Sequence, residues 1–514
     1  MKWSFGKKSK VEKPGEGNDF KIEKKGGKRA VIIVRAFSAV CTATFLVVFI
    51  LILESLLSMG ILPTKYLLIV AISLTLLVIV GILMFFLAKK HKILAIVFGV
   101  IYIIVSAIMC WGAGYLYQTR SFFSKTTAKD YYIETYSVYV LEDSSYEEIT
   151  DLEGERDASY IDTIPSYNEA FEELKKEISF ETVVTDTYID AAEALISGDA
   201  DFVLLSESYL AILDDLEEGF AKKVRSVYDI EIKIYDTVEV TDVDVLNEPF
   251  NIYISGIDTK GTISTVSRSD VNMIVTVNPK THKVLLTSIP RDYYVQLHGT
   301  VGIKDKLTHS GIYGPKMTIN TVEDLLGIKL NYYVRVNFSS VINLVNAIGG
   351  VYLTPDITLS REQEDYGWCN YYAGVRTLFN GPCALRYARE RKAYADGDLH
   401  RIQNQQQVMT AILDKLASAE IIKNYSSVLN AVQDNFETSI PEKKIYQLIN
   451  NQLDSMPKWK IKDYHLEGTD SYSSIYSSSM EGTGDNGSNY YVMEPNYETV
   501  ENAKAKIQAV FNGE

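Results

Sequence analysis

Three long apolar runs occupy the first quarter of the chain and constrain its fold more than any other feature. They cover Ala30–Leu53, interrupted only by Arg35, and the uncharged stretches Tyr66–Ala88 and Ile93–Tyr117. About 20 apolar residues cross a bilayer as a helix, so we predict three transmembrane helices within residues 30–117. The alternative for the first run is a cleaved signal peptide, which would be shorter and would not precede two further spans.

The basic residues around these runs predict their orientation. Residues 1–29 contain ten Lys and Arg and residues 89–92 read Lys-Lys-His-Lys, whereas the turn between the first two runs carries only Glu54 and Lys65. Basic loops stay in the cytoplasm, so residues 1–29 should form a cytoplasmic basic tail. Three spans then place residues 120–514 outside the cell, in a multi-pass protein of the cell membrane.

The net charge of −15 averages parts of opposite sign. Residues 1–119 sum to +10, residues 120–245 to −22 and residues 246–514 to −3. A nucleic-acid-binding protein presents a basic face, and a short tail and turn are too small for a DNA-binding domain. We therefore expect no nucleic acid partner, and contact of the tail with anionic lipids is the simpler use of its charge.

Alternating helix and strand patterns divide the outer part into two domains. Residues 120–245 should form a small acidic α/β accessory domain, with strands at 131–141 and 202–205. It shows no catalytic spacing, and a solvated surface is favoured over a metal or partner site. Residues 246–514 predict a mixed central sheet with helices on both faces, and their Ser-, Tyr- and Gly-rich segment 469–489 predicts an exposed loop.

The four cysteines leave one question open. Cys41 and Cys110 fall in the membrane runs, whereas Cys369 and Cys383 lie outside, 14 residues apart. A disulfide between the outer pair is compatible with an oxidising compartment, but two cysteines do not decide it.

Nine of the fourteen arginines lie between residues 268 and 401, and none follows. Arginine donates bidentately to carboxylate or phosphate, so the cluster suggests an internal anion site. Surface arginines paired with acids are the alternative, and clustering alone does not decide between the two. Arg268 precedes one predicted strand and Arg291 follows the next, and ligand groups in α/β proteins lie at strand ends. Arg401 and Gln405 share one helix face and can point into the same cleft.

Two carboxylates accompany these arginines. Asp258 follows the first strand of the domain, and Asp270 lies two residues after Arg268. A Mg²⁺ ion that bridges carboxylate and phosphate oxygens would explain this combination. A network of Asp–Arg salt bridges is the alternative.

A series of motifs follows in order along this domain: SGIDTKGTISTVSRSDVNMIVTVNP, TSIPRDYYVQLHG, KDKLTHSGIYG, YYVRVNFSSVINLVNAIGGVYL, NGPCALRYARER and DLHRIQNQQQ. In these motifs the chain resembles the LytR–CpsA–Psr (LCP) phosphotransferase family over about residues 246–514. The membrane runs and acidic domain further resemble its capsule-associated, CpsA-like branch. The resemblance implies an α-β-α catalytic domain.

It also implies a function. Family members attach glycopolymers carried on a polyprenyl pyrophosphate lipid to the peptidoglycan of Gram-positive cell walls. We therefore expect a Mg²⁺-dependent enzyme that transfers capsular polysaccharide, releases polyprenyl phosphate and has a pyrophosphatase side activity. The expected partners are that lipid, peptidoglycan, the membrane and the capsule-assembly machinery. A non-catalytic membrane regulator or scaffold of capsule assembly is the alternative.

Site residues carry over from the motifs. Asp258 and Asp270 resemble the family's Mg²⁺-binding acids, and with Arg268 and Arg291 they form the expected catalytic group; the general base stays unassigned. The expected pyrophosphate-binding arginines are Arg268, Arg291, Arg389, Arg391 and Arg401, with Lys306 and Gln405 as further head-group contacts. The family often has Arg where this chain has Lys260 and Asn404, so these two stay unassigned. Apolar segments could line a pocket for the lipid tail, although core packing is their default role.

Overall fold

The structure is a computed structural model of the chain. It describes residues 19–127, 131–160, 165–216, 219–236, 238, 241–257, 263, 265–363, 367–395, 397–418, 421–432, 436–479 and 489–514. These residues form two compact units that divide between Tyr117 and Gln118.

Within the described residues, the first unit contains three long helices: α1 (Asp19–Met59), α2 (Thr64–Leu87) and most of α3 (Lys92–Thr126), which continues past Tyr117. Each is long and apolar enough to cross a membrane, as judged by length and composition. The guanidinium of Arg35 donates to the carbonyl of Phe86, at 3.4 Å, and lies over the ring of Phe85. Arg35, the one charged residue in the first apolar run, therefore contacts the last turn of α2.

The region predicted as the accessory domain surrounds one core with strands and helices, and we keep that name for it. Its elements are β1 (Tyr132–Leu141), β2 (Arg156–Tyr160), α4 (Pro165–Glu177), β3 (Glu181–Thr185), α5 (Tyr188–Ser197), β4 (Val203–Ser206), α6 (Glu207–Leu216) and β5 (Val224–Ile234). Among the described residues, β1 pairs antiparallel with β4 and β5, and β2 pairs parallel with β3. The predicted strands 131–141 and 202–205 correspond to β1 and β4.

One carboxyl group of this domain is buried inside it. Asp157 in β2 is fully buried, and this burial raises its pKa to about 8, against only partial opposition from the Leu204 amide and the Lys175 charge. Between the usual pKa of an aspartate and about pH 8, Asp157 is therefore protonated in the folded domain but ionised in the unfolded chain. Folding stability should fall as pH rises through this window.

We expect Asp157→Asn to remove this pH dependence, because asparagine stays neutral. Between about pH 5 and pH 8, wild-type stability should fall by at least about 1.4 kcal/mol, the equivalent of one pKa unit, and the variant should stay level. Denaturant unfolding of the accessory domain at both pH values measures this. Asp186→Asn, at an exposed carboxyl of the same domain, should behave as the wild type. A variant that loses stability with pH as steeply as the wild type would contradict the account.

The second domain follows as β6 (Phe250–Ile257), β7 (Ser269–Asn278), β8 (Lys283–Ile289), β9 (Tyr294–Val295), β10 (Asp305–Lys306), α7 (Pro315–Leu326), β11 (Tyr332–Asn337), α8 (Phe338–Ala347), β12 (Val351–Leu353), β13 (Leu359–Gln363), β14 (Gly367–Tyr371), β15 (Thr377–Phe379), α9 (Gly381–Arg389), α10 (Asp398–Leu416), α11 (Ile421–Val432), β16 (Phe436–Thr438), α12 (Glu442–Ser455), β17 (Lys460–His465), β18 (Gly468–Ser473), α13 (Tyr476–Ser479), β19 (Tyr490–Pro495) and α14 (Tyr497–Phe511).

Within the described residues, six of these strands form one mixed sheet in the order β16-β11-β6-β7-β8-β17. Neighbouring side chains of a strand point to opposite faces, so Ile254 and Tyr253 belong to different cores. Ile254 packs in the core that α10 and α12 cover, whereas Tyr253 packs in the core that α7 and α14 cover. This arrangement confirms the predicted mixed sheet with helices on both faces.

The predicted exposed loop at 469–489 is wrong for the part that the structure describes. β18 pairs antiparallel with β19, and Ile475, Ser477 and Ser478 just beyond β18 are buried. Serine and tyrosine form strands when their side chains alternate across a paired ribbon, and composition alone did not reveal that pairing. Residues 480–488 of the prediction lie outside the described residues.

The open question about the cysteines is answered by a disulfide between Cys369 and Cys383, with 5.5 Å between their Cα atoms. It joins β14 to α9.

Candidate functional site

The candidate residues gather at one edge of the central sheet. β6, β8, β11 and β17 run parallel to one another, and β7 runs antiparallel between β6 and β8. The carboxyl ends of the four parallel strands therefore share an edge with the start of β7. Asp270 is the second residue of β7, and Arg291 follows the end of β8.

Asp270 and Arg291 form an ion pair at this edge. Nη1 of Arg291 donates to both carboxylate oxygens of Asp270, at 3.2 and 3.1 Å, and the hydroxyl of Thr308 donates to Oδ1 at 3.2 Å. Nε of Arg291 also donates to Asp292 at 3.3 Å. The salt-bridge network that the sequence left as an alternative is therefore present in part.

The charges around Asp270 keep it ionised. Burial alone would raise the pKa of Asp270, but the charges of Arg291, Arg268 and Arg401 outweigh burial and hold it below its usual range. The hydroxyl of Thr308 acts in the same direction. An ionised carboxylate beside several guanidinium groups can bind a cation that a phosphate also binds.

A cavity of about 230 Å³ opens beside this ion pair, between the sheet and helices α8, α9 and α10. Its polar side chains are those of Asp270, Arg291, Asn337, Arg389, Arg391, Arg401 and Gln405. Its apolar side chains are those of Ile254, Val271, Met273, Val336, Phe338, Val341, Leu385, Ala388, Val408, Met409 and Ile412. One cavity thus combines cationic groups with an apolar wall, as an amphiphilic anion requires.

Local sequence signals place the helices that carry these arginines. The Asn337 side chain caps α8 by accepting from the Ser340 amide at 2.9 Å, and Asn380 caps α9 in the same way. Arg389 is the last residue of α9, and its guanidinium lies 4.1 Å from the centre of the Phe338 ring. The cap of α8 and the end of α9 therefore meet at the cavity.

Helix α10 contributes the other side of the cavity. Arg401 is buried in its first turn, and Gln405 follows one turn later on the same face. Both line the cavity, as their four-residue spacing predicted. Asn404 between them is also buried.

Two other expected residues lie near the cavity but do not line it. Arg268 precedes β7 and acts on Asp270 through its charge. Lys306 is buried in β10, with its Nζ 4.0 Å from Oδ1 of Asp292. Asp258 and Lys260 lie outside the described residues. The structure thus brings six of the expected residues together around one cavity.

The remaining clustered arginines serve local structure where their side chains are described. Arg335 is buried and donates to the Thr265 carbonyl at 2.9 Å. Arg386 pairs with Glu390 one turn later, and Arg376 lies over the ring of Tyr352. The clustering of arginines along the sequence therefore indicated the region of the site. It did not distinguish the arginines that line the cavity from those that stabilise the local structure.

Sequence reasoning missed a buried polar network behind the site. Oδ1 of Asp305 lies 2.7 Å from Nδ1 of His309, and its Oδ2 accepts from the Ser477 amide at 2.7 Å. The Ser477 hydroxyl lies 3.0 Å from the same histidine nitrogen. This network fixes the segment that carries Lys306 and Thr308, and so gives His309 a structural role.

The accessory domain contacts this network directly. Tyr188 of α5 is buried and donates its hydroxyl to the Ser477 carbonyl at 2.8 Å. Ile133 of β1 accepts from the Val266 amide at 3.0 Å, two residues before Arg268. The accessory domain therefore supports two segments that carry expected site residues.

We expect Tyr188→Phe to destabilise the protein by about 1–2 kcal/mol, because it leaves the buried Ser477 carbonyl without its donor. Denaturant unfolding measures the change. Tyr235→Phe removes a hydroxyl from an exposed tyrosine of the same domain and should stay within about 0.5 kcal/mol of the wild type. Equal stability of the two variants would show that the Tyr188 bond contributes nothing.

The donor chemistry at the cavity suits Mg²⁺, although a complete protein cage is absent from the described residues. No group of three or more His, Cys, Asp or Glu side chains among them could hold a metal ion. Mg²⁺ commonly takes one or two carboxylates together with water and substrate phosphates. Asp270 offers one such ligand, and Asp258 would have to supply the second.

The sequence matches a family model described as the LytR_cpsA_psr family over residues 220–506. A relative from Enterococcus faecalis, the polyisoprenyl-teichoic acid–peptidoglycan teichoic acid transferase TagU, is 33% identical over 244 residues, which cover 46% of this chain and 77% of the relative. Biofilm regulatory protein A of Streptococcus mutans is 35% identical over 219 residues, which cover 40% of this chain and 54% of that protein.

Among solved structures, Bacillus subtilis TagV is similar, with 30% sequence identity and a TM-score of 0.42. The alignment covers 52% of this chain and 98% of that chain.

Proposed function

The chain belongs to the LytR_cpsA_psr family, and we propose that it transfers a glycopolymer from a polyprenyl pyrophosphate lipid to peptidoglycan. Its E. faecalis relative is named for the transfer of teichoic acid from a polyisoprenyl carrier to peptidoglycan, which supports this class of reaction. The proposed products are a phosphodiester link to the wall and free polyprenyl phosphate. The finer proposal is that the polymer is capsular polysaccharide.

The observation that carries this proposal is the cavity between the sheet and α8, α9 and α10. Arginine guanidinium groups bind phosphate oxygens bidentately, and four of them lie beside an apolar wall. Pockets that enclose a whole drug-sized ligand measure about 300–1,000 Å³. The cavity, at about 230 Å³, is smaller than this and would hold only the isoprene units nearest the phosphates. The rest of a long prenyl chain would extend out of it.

The residues act on the pyrophosphate by position and charge. The acceptor hydroxyl oxygen attacks the phosphorus next to the sugar, and the bond from that phosphorus to the bridging oxygen breaks. The electron pair leaves with polyprenyl phosphate, where Arg291, Arg389 and Arg401 stabilise the added charge. Because a base is weak when its pKa is low, the ionised Asp270 is poorly suited to remove the hydroxyl proton, and the base stays unassigned.

Mg²⁺ is part of the proposal as the ion that Asp270 would hold together with Asp258. When bound, it would neutralise negative charge on the phosphate oxygens. In this structure the same carboxylate is paired with Arg291, which would bind the substrate phosphates beside the ion.

The three apolar helices support a membrane-anchored enzyme, because the proposed lipid substrate resides in the membrane. The basic residues 1–29 and 89–92 further support a cytoplasmic N-terminus and an external catalytic domain. Under this topology, both the lipid head group and peptidoglycan are accessible to residues 120–514.

The function can be tested with the purified full-length protein in detergent, a synthetic polyprenyl pyrophosphate-linked oligosaccharide and peptidoglycan fragments. We expect label to move from lipid to peptidoglycan with equimolar release of polyprenyl phosphate. Absence of transfer with several polymers, together with no binding of the lipid, would contradict the proposal.

A non-catalytic regulator or scaffold of capsule assembly remains the second candidate, because one relative carries the name of a biofilm regulatory protein. This candidate predicts that deleting residues 1–29 alters polymer amount while transfer in vitro is unchanged. It also predicts that cells keep normal polymer levels when the transfer site is inactivated.

A further inference from the structure

A second and larger cavity lies on the other side of α10, with a volume of about 790 Å³. It is bounded by α10, by β12 and by the edge strand β17. Gln403 and Gln407 line it from α10, whereas Arg401 and Gln405 line the first cavity from the same helix. Two cavities therefore flank the first half of one helix.

The second cavity reaches the same edge of the sheet as the ion pair of Asp270. β17 runs parallel to β8, so His465 at the end of β17 lies at the edge where Arg291 follows β8. Gln406 fixes α10 over these two strands, because its amide donates to the Ser288 hydroxyl at 3.0 Å and to the Tyr464 carbonyl at 2.7 Å. A ligand in the second cavity could reach the phosphate site around the start of α10.

The lining of the second cavity differs in charge from that of the first. Its cationic side chains Arg376 and Lys415 are balanced by the carboxylates of Asp414 and Asp463. The first cavity combines four arginines with one aspartate. A polyanion would favour the first cavity, whereas an uncharged chain rich in hydroxyls and amides suits the amides and balanced charge of the second.

One aromatic side chain adds an apolar platform to this polar lining. Tyr352 of β12 is 47% exposed, and the guanidinium of Arg376 lies 4.1 Å from its ring centre. This stacking holds the ring in place. An amphipathic ring beside side-chain amides can bind a sugar, whose ring has apolar C–H faces and polar edges.

We propose that this second cavity binds the glycan strand of the acceptor. The inference rests on the proposed function and names the site of its second substrate. The donor polymer is the other carbohydrate in the reaction. A phosphate-bearing polymer is polyanionic and does not match the balanced lining, whereas for an uncharged capsular polysaccharide the affinities measured below decide between donor and acceptor.

The test uses full-length Tyr352→Ala and Gln403→Ala variants with the synthetic lipid donor and soluble peptidoglycan fragments. For each variant we expect the KM for the fragment to rise by about 10-fold or more, with unchanged affinity for polyprenyl pyrophosphate. Tyr497→Ala is the matched control, because Tyr497 is exposed on α14, which covers the other face of the sheet. It should keep the wild-type KM.

An unchanged KM for the fragment in both variants, while the wild type transfers normally, would overturn the inference and leave the proposed function standing. If the wild type does not transfer the polymer, the affinity for the peptidoglycan fragment is measured directly by titration. Weaker binding of the fragment by Tyr352→Ala than by the wild type would support the site, and equal binding would overturn it. A Tyr352→Ala variant that loses affinity for the soluble donor polymer, and not for the fragment, would overturn the assignment to the acceptor.

Discussion

Arg291→Ala should lower kcat/KM for polymer transfer by about 10³-fold or more, the range found for arginines that stabilise phosphoryl transfer. Arg291 lines the cavity and donates to both carboxylate oxygens of Asp270. Its loss removes a bidentate phosphate donor and also the charge that contributes most to the lowered pKa of Asp270. Steady-state transfer with the synthetic lipid measures the effect.

Two controls separate chemistry from folding in this experiment. Arg156→Ala removes an arginine that pairs with Asp201 in the accessory domain and should leave transfer unchanged. Arg291→Lys keeps the charge but loses the bidentate geometry, so its activity should lie between those of the wild type and Arg291→Ala. If Arg291→Ala retained transfer within about tenfold of the wild type, Arg291 would have no part in the reaction.

Val341→Trp should weaken binding of polyprenyl pyrophosphate by about 100-fold or more. Val341 of α8 lines the apolar part of the cavity, and an indole there would displace the isoprene units nearest the phosphates. Each CH₂ group kept out of the cavity loses about 0.8 kcal/mol, so exclusion of four groups exceeds the roughly 2.7 kcal/mol that 100-fold represents. Titration of the lipid in detergent measures the affinity.

The same variant should bind inorganic pyrophosphate as well as the wild type, because the arginines are untouched. Leu344→Trp is the matched control: Leu344 is also a partly buried residue of α8 but does not line the cavity. Overpacking costs both variants about 1–3 kcal/mol of stability, whereas only Val341→Trp should lose the lipid. Equal affinities for the lipid would show that the tail binds elsewhere.

Periodicity predicted the mixed sheet of the second domain and two strands of the accessory domain. The strands expected at 131–141 and 202–205 match β1 and β4 within one residue. The short strands β2 and β3 were missed because neither shows an alternation of apolar residues: β2 is buried but mostly polar in sequence, and β3 is largely exposed. The β18–β19 hairpin was missed because its stability comes from pairing with a distant segment.

Helix spacing and family motifs predicted which residues would meet at the candidate site, but only where residues lie close together in sequence. The spacing of Arg401 and Gln405 placed both on one face, and the cavity confirms this geometric expectation. Spacing could not show that Arg335 donates to a backbone carbonyl, since a structural and a ligand-binding arginine look alike in sequence. Nor could it show Tyr188 of the accessory domain reaching Ser477, because that contact joins residues 289 positions apart.

The position of a bound lipid tests the central claim most directly. An experimental structure of the full-length protein with a prenyl pyrophosphate should place the phosphates within hydrogen-bonding distance of Arg291, Arg389 and Arg401. The first isoprene units should lie between the sheet and helices α8 and α10. Phosphates bound away from these arginines, or a prenyl chain outside this cavity, would contradict the account.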